Sequence, residues 1–518
     1  MTVFLISCSS EPSKKNIKED ILNLHLGGEP SYLNPVLSTD ASSSLVEGYI
    51  FSGLFRIDEN LEIKPDLLER YDVDKTGTIY TFYLRKDVTW HDGIPFTAED
   101  VKFTFDTILD PKTNTVRRSN FIIDGKAIDF KIINDYVIQA TLPKPFAPFL
   151  IRMGMGIIPK HLLAHEDINK ADFNRNPIGT GPYKFITWQS AQYIQLERND
   201  TYYGDSPKIE KLLMKIIPDD NTSLLALEKG EIDLSSIPAK DYSRYKNHPY
   251  LNTFKYYDLV YTYLGFNLDH AFFSDNKVRR AIAHAINKES VVNAVLKGFG
   301  IPADIPSSPV LWSYPVENEI PQIEYNPSFA KELLKEAGFV LNPQTQLFEK
   351  NGKPFKFKIL TNKGNKDREK AAQIIQRFLA EIGVEVSIQL MEWSSLLKVV
   401  NAKETPKKFD AVLLGWSLGL DPDSYSIWHS SQYPEGFNFI GYINTKVDVL
   451  LERGRLETNQ LERKKIYSEI YQTIAYDVPY VFLYFPESII GVNKRVRGLS
   501  KPGPAGLLNP IENVFIAE

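Results

Sequence analysis

Cysteine is almost absent. Cys8 is the single thiol among 518 residues, which excludes an intrachain disulfide and any zinc centre built from several thiolates. Histidine is sparse too, eight in all. The nearest pair, His161 and His165, has the i, i+4 spacing of a helical metal site but no acid in a ligand pattern beside it, so neither a metal nor a cofactor is expected. Positive charge is not in excess: 60 Lys and Arg stand against 65 Asp and Glu, a net charge of −5, and no overall field draws nucleic acid. No segment approaches the ~20 consecutive apolar residues of a membrane-spanning helix. The chain also lacks G-x-x-x-x-G-K-[ST], H-E-x-x-H and a strand-linked G-x-G-x-x-G.

What is there is an ordinary globular composition, 43% hydrophobic and 24% charged, in a chain long enough for roughly three domains of ~150 residues. Around Cys8, apolar Val3 to Ile6 and Ser7 give way to the polar stretch Ser9 to Lys15. Leu5-Ile6-Ser7-Cys8 resembles a bacterial lipobox, which implies that the cysteine becomes a lipidated amino terminus tethering the protein to a membrane surface. The apolar stretch is shorter than the roughly 7–15 residues of a secretory signal, and no Lys or Arg precedes it.

Periodicity points to a mixed α/β protein. Leu22, Leu24 and Leu26 alternate with polar residues up to Gly27-Gly28-Glu29-Pro30, predicting a half-buried strand. Tyr80, Phe82 and Leu84 predict a second, and Ile132-Ile133 with Tyr136-Val137-Ile138 about Asn134-Asp135 a hairpin. Thr97 and Asp100 form a capping box for a helix whose Val101, Phe105 and Ile108 share a face. After Phe266 helices dominate: Ser274 precedes one carrying Val278, Ile282 and Ala285, and Asn326-Pro327 starts another that Gly338 ends. Phe355, Phe357 and Ile359 alternate, a helical stripe runs from Ala371 to Ile382 and stops at Gly383, and Val384, Val386, Ile388 and Leu390 alternate again. This is a strand-helix-strand crossover whose strands should lie parallel, with a right-handed connection. A further apolar run, Ala411 to Leu414, leads into Gly415-Trp416.

Open parallel sheets bind ligands beyond the carboxyl ends of their strands, which makes residues 361–365 and 417–423 the expected site loops. Trp393 follows one strand and Trp416 ends another, flat apolar walls suited to a cleft. Gly415-Trp416-Ser417-Leu418-Gly419 also matches the G-x-S-x-G nucleophile elbow of a serine hydrolase. Only His429 follows Ser417, with Asp421 and Asp423 between, which leaves no separate loops for acid and base.

Trp90-His91-Asp92-Gly93-Ile94-Pro95-Phe96-Thr97-Ala98-Glu99-Asp100-Val101, with Phe103 and Phe105, resembles the signature of the oligopeptide- and dipeptide-binding family of extracytoplasmic solute-binding proteins of ABC importers. Similar segments follow in the family's order, among them Glu29-Pro30 to Leu33-Asn34-Pro35, Gly179-Thr180-Gly181-Pro182-Tyr183, Phe266-Asn267 and Tyr325-Asn326-Pro327. The resemblance spans nearly the whole chain. It implies an α/β class with mixed sheets, in a two-lobe periplasmic-binding-protein fold with an extra hairpin-rich domain and a ligand cleft between the lobes. Residues 1–20 would be the tether, 21–50, 175–265 and 488–518 lobe I, 51–174 the extra domain, and 266–487 lobe II. It further implies a monomeric binding lipoprotein rather than an enzyme, in the periplasm or at the cell surface. Its lobes would hinge closed on an oligopeptide held through its backbone, and the closed form would dock on a permease powered by an ATPase.

By resemblance, Tyr32, Asn34, Trp393 and Trp416 are candidate ligand-binding residues. Family members that hold a free peptide amine carry an aspartate three residues after the tryptophan matching Trp416; here that position is Gly419. Asp421 and Asp423 are the expected substitutes, unless they cap the helix starting at Ser424. For a peptide carboxylate the candidates are Arg368, which offers a planar fork, and Lys370, which offers a point charge. Relatives with this fold take nickel chelates, haem, opines or oligosaccharides, so the ligand stays open, as does a surface receptor without a transport role.

Overall fold

The computed structural model describes residues 20–316 and 319–517; Cys8 lies outside them. Two lobes hang on one strand, Tyr480–Asn493. Its carboxyl half pairs with Leu251–Tyr257 in lobe I, and its amino half pairs with Val260–Phe266 in lobe II. The predicted strand Ile21–Leu26 lies parallel to Lys211–Ile216 in the lobe I sheet, burying Leu22, Leu24 and Leu26. Residues 251–257 and 260–266 both run antiparallel along the shared strand and are interrupted at Asp258 and Leu259.

In lobe II, Lys356–Asn362 and Glu385–Met391 pair in parallel with the helix Lys366–Glu381 between them, the predicted crossover. Ala411–Ser417 is sandwiched on both faces: Ala411 and Leu413 enter one hydrophobic cluster, Val412 and Leu414 the other. Burial on two faces is why this strand reads as an unbroken apolar run.

The extra domain is built on a four-stranded antiparallel sheet that includes Ile79–Leu84 and the predicted hairpin of Asp129–Asn134 and Val137–Thr141. Its helix Ala98–Leu109 carries the Thr97/Asp100 capping box. Phe82 and Trp90 of this domain share one hydrophobic cluster with Leu22 and Leu33 of lobe I. The helix expected after Ser274 spans Asn276–Ala285, and the cap is Asp275, whose carboxylate accepts the Lys277 N–H. Pro327–Glu336 starts at Asn326 as predicted, with Gly338 at φ +85° beyond its end. Among the described residues no helix is long and apolar enough to cross a membrane.

Candidate functional site

Besides the hinge strands and the packing of Tyr242 on Phe299 at 4.8 Å, the lobes share polar contacts in two regions among the described residues. In the first, Asp220 of lobe I accepts the Lys366 N–H at 2.9 Å, and Lys366 Nζ lies 3.5 Å from Asp219. Nearby, Trp393 packs on Gly28, its ring 3.2 Å from where a Cβ would stand. In the second, Arg152 of the extra domain pairs with Asp423 at 2.9 Å, and Arg455 donates to Ser119 O at 2.9 Å.

In lobe I the helix Ala41–Ile50 is capped by Asp40, whose carboxylate accepts the Ser43 N–H at 2.9 Å. Ser44, Leu45 and Gly48 on this helix are exposed. Two adjoining cavities of about 530 and 370 Å³ share Ser44, Gly48, Phe51 and Gly154. The larger reaches Tyr256 and Ile490 on the hinge strands, and the smaller reaches Arg152, which is bound to lobe II. Together they form a trough from the hinge to the lobe contact.

The lobe II side offers a free backbone edge. The Leu418 N–H donates to Leu259 O at 2.6 Å, and Asp410 O accepts from Asn267 N–H at 2.9 Å, so even-numbered residues turn toward Val260–Phe266. The antiparallel alternation then turns Gly415 and Ser417 to the opposite edge. There the neighbouring strand Lys356–Asn362 pairs only as far as Val412. Thr361 Oγ1 closes that pairing with a hydrogen bond to Leu413 O at 2.7 Å.

Arg368 sits at this edge, in the first turn of the helix Lys366–Glu381. Its Nη1 donates to Asn362 Oδ1 at 3.0 Å. Its Nη2 lies 2.7 Å from where a Cβ on residue 415 would stand, so Gly415 makes room for the guanidinium. Burial pulls the Arg368 pKa below its ordinary value. Among the described residues no carboxylate forms an ion pair with it. Lys370 turns away, donating to Ala294 O at 2.9 Å. Trp416 is half-buried, parallel to Tyr263 at 6.5 Å and edge-on to Phe437 at 5.3 Å.

Asp421, Asp423 and Asn34 each have partners within the fold. Asp421 is taken by a two-pronged pair with Arg463, 2.8 Å at each prong. Asp423 is fully buried between Arg152 and Arg455, at 2.9 and 3.1 Å. Burial alone would raise its pKa, but Arg455 and Arg152 hold the carboxyl down at about 2. It also accepts the Tyr425 N–H at 3.2 Å, in the first turn of Tyr425–Trp428. Neither acid is free to receive an ammonium, and Gly419 faces open space. Asn34 likewise belongs to the core: it is fully buried, donating to Asn174 Oδ1 at 2.8 Å and accepting the Val36 N–H at 3.0 Å. Tyr32, 40% exposed, stays at the surface of the same loop.

No hydrogen bond joins Ser417 to a histidine among the described residues. His429 stacks on Tyr425 at 4.0 Å and pairs through Nδ1 with Ser431 Oγ at 2.8 Å. His161 bonds Asp92 at 2.8 Å, and among the described residues no group of three or more His, Cys, Asp or Glu is placed to hold a metal. The helix Ala41–Ile50 and the arginines 117 and 152 were not read from the sequence. The usable signal was Asp40 three residues before Ser43, an N-cap ahead of a segment with little apolar periodicity.

With this geometry in hand, comparison decides the family. The family of bacterial extracellular solute-binding proteins, family 5 (middle region), matches residues 62–437. The chain belongs to it. The oligopeptide-binding protein AppA of Bacillus subtilis is 36% identical over all of this chain and 97% of its own length. Its structure, in complex with a nonapeptide, aligns with a TM-score of 0.92 over 96% of this chain and 99% of that one. NikZ of Campylobacter jejuni, solved with Ni(L-His), aligns at 0.87 with 33% identity, covering 96% of this chain and all 100% of its own. The heme-binding protein A of Haemophilus influenzae is 29% identical over 91% of this chain and 87% of its own. This family 5 chain therefore has the two-lobe fold of an extracytoplasmic solute-binding protein, in a family of substrate-binding proteins.

Proposed function

We propose that this protein captures oligopeptides between its lobes and hands them to the permease and ATPase of an ABC importer. The free edge at Gly415 and Ser417 carries the reading. An extended peptide laid along it gains main-chain hydrogen bonds as an added strand whatever its side chains, and the trough over the helix Ala41–Ile50 leaves room on the other side. Arg368, bonded to Asn362 but to no carboxylate among the described residues, receives the peptide's carboxylate. With no acid at Gly419, the amine end is not fixed at one depth, which suits longer peptides. The AppA complex with a nonapeptide supports the same ligand class. Cys8 anchors the protein as a lipoprotein, and Cys8→Ser is expected to shift it from the membrane fraction to the soluble one.

The test is to purify the protein from Ser9 onward, unfold it and identify what it releases. Mixed-sequence peptides in a narrow length range are expected, and their capture should be lost in Trp416→Ala. A single metal chelate or haem in their place overturns the peptide reading.

A further inference from the structure

The smaller cavity of the trough carries more positive charge than the fold itself employs. Arg117 and Arg152 line it with Glu47 and Asn120. Arg117, from the extra domain, donates through Nη2 to Ser38 O at 2.9 Å and leaves Nε without a partner. Arg152 gives Nη2 to Asp423 and likewise leaves Nε unpaired. Asp423 is shared with Arg455. Among these groups, three guanidinia have one ionised carboxylate between them.

Glu47 does not supply a second. It is 7% exposed, and burial pushes its carboxyl up to about 8 against the pull of Arg117. At neutral pH it is an uncharged acid whose Oε2 accepts from Ser38 Oγ at 2.9 Å while Oε1 has no partner. A protonated carboxyl can donate its O–H. Asp40, whose charge also acts on Glu47, is occupied by Ser31 and Ser43. Asn120, 8% exposed, has an unpartnered amide oxygen, and the amide can be turned to present its NH2 instead.

Unpaired guanidinium and acid donors withdrawn from water favour an anion that restores their hydrogen bonds. We propose that this cavity is a subsite for a carboxylate of the bound peptide, held by Arg117 and backed by Arg152. It lies on the lobe I side and is separate from Arg368 in lobe II. The proposal rests on the oligopeptide reading and adds a preference for acidic ligands. The carboxylate is that of an Asp or Glu side chain, since the carboxyl terminus goes to Arg368.

The test uses the folded protein and a set of neutral nonapeptides in which one Glu is moved through each position, each matched to its Gln counterpart, together with a carboxyl-terminal amide. Calorimetry should show one position at which Glu binds about tenfold more tightly than Gln, a ratio that amidation leaves unchanged, which separates side chain from terminus. That ratio should fall to about one in Arg117→Gln and persist in Lys370→Gln, whose charge lies outside the cleft. Should Arg117→Gln fail to fold, Arg117→Lys keeps the charge without the fork, and the ratio should shrink several-fold. A set with no preference for any carboxylate, or a preference undiminished in the Arg117 variants, overturns the subsite. If no peptide of the set binds, the oligopeptide reading falls, and the cavity is tested with glutarate instead. Binding by the wild type that is lost in Arg117→Gln sustains the anion site, and no binding overturns it.

Discussion

Asp220 and Lys366 stand on different lobes, and the Asp220 carboxylate accepts the Lys366 backbone N–H at 2.9 Å. Lys366 is the first residue of its helix, so lobe I supplies an acceptor to an otherwise unsatisfied helix amide of lobe II. The bond ties the amino terminus of that helix to lobe I.

Gly364 lies in that contact at φ +100°, and a Cβ there would stand 2.1 Å from Pro218 O on the opposite lobe. Gly364→Ala is expected to weaken ligand binding by at least about tenfold, ~1.4 kcal/mol, because the clash appears only on closing. Small-angle scattering at saturating ligand should show the variant remaining expanded where the wild type contracts. Contraction equal to the wild type would sink the assignment.

Asp423 ties the extra domain to lobe II. Its carboxyl is held at about 2 against an ordinary 3.8, so its contribution is complete above about 3.8 and is lost as the pH falls toward 2. Asp423→Asn leaves two buried guanidinia short of a counter-charge and should cost roughly 3–5 kcal/mol at pH 7. Denaturant midpoints at pH 7 and pH 2.5 check this: the gap between wild type and variant should narrow at the lower pH.

Glu47 shows the opposite linkage. Its carboxyl rises from 4.5 to about 8 on folding, so below pH 4.5 it costs nothing, and between those values stability falls as pH rises. Glu47→Gln keeps the acceptor for Ser38 without the titration. Its melting temperature should match the wild type at pH 4 and exceed it by about 2 °C or more at pH 8; equal melting at both would refute the shift.

Most of the fold was readable because its elements announce themselves locally. Ile21–Leu26 alternates, Pro327–Glu336 carries its cap and its terminating glycine, and Ala411–Ser417 is apolar on both faces. The break at Asp258 and Leu259 carries no glycine or proline to mark it in the sequence. Of the candidate site residues, the place of Trp416 follows from the rule that ligands sit beyond strand ends, whereas Arg368 rests on the family resemblance. Asp421 and Asp423 misled because their partners, Arg463, Arg152 and Arg455, lie far along the chain, and sequence spacing is blind to such pairs.

Arg368 offers a direct probe of ligand polarity. Arg368→Gln should bind a free-acid nonapeptide roughly tenfold less tightly while its amide is little affected by the change. Equal losses for acid and amide would move the carboxylate elsewhere in the cleft.

The strand Tyr480–Asn493 and Arg495, two residues beyond it, have a consequence for the order in which the protein is made. Asp233 is fully buried and has its counter-charge on Arg495, 2.6 Å away, which also reaches Ile21 O at 3.1 Å. While the chain is still emerging from the ribosome, the lobe I sheet lacks a strand and holds an uncompensated carboxylate, so it cannot finish folding however early its first strand appears. Completion waits for the final stretch of synthesis.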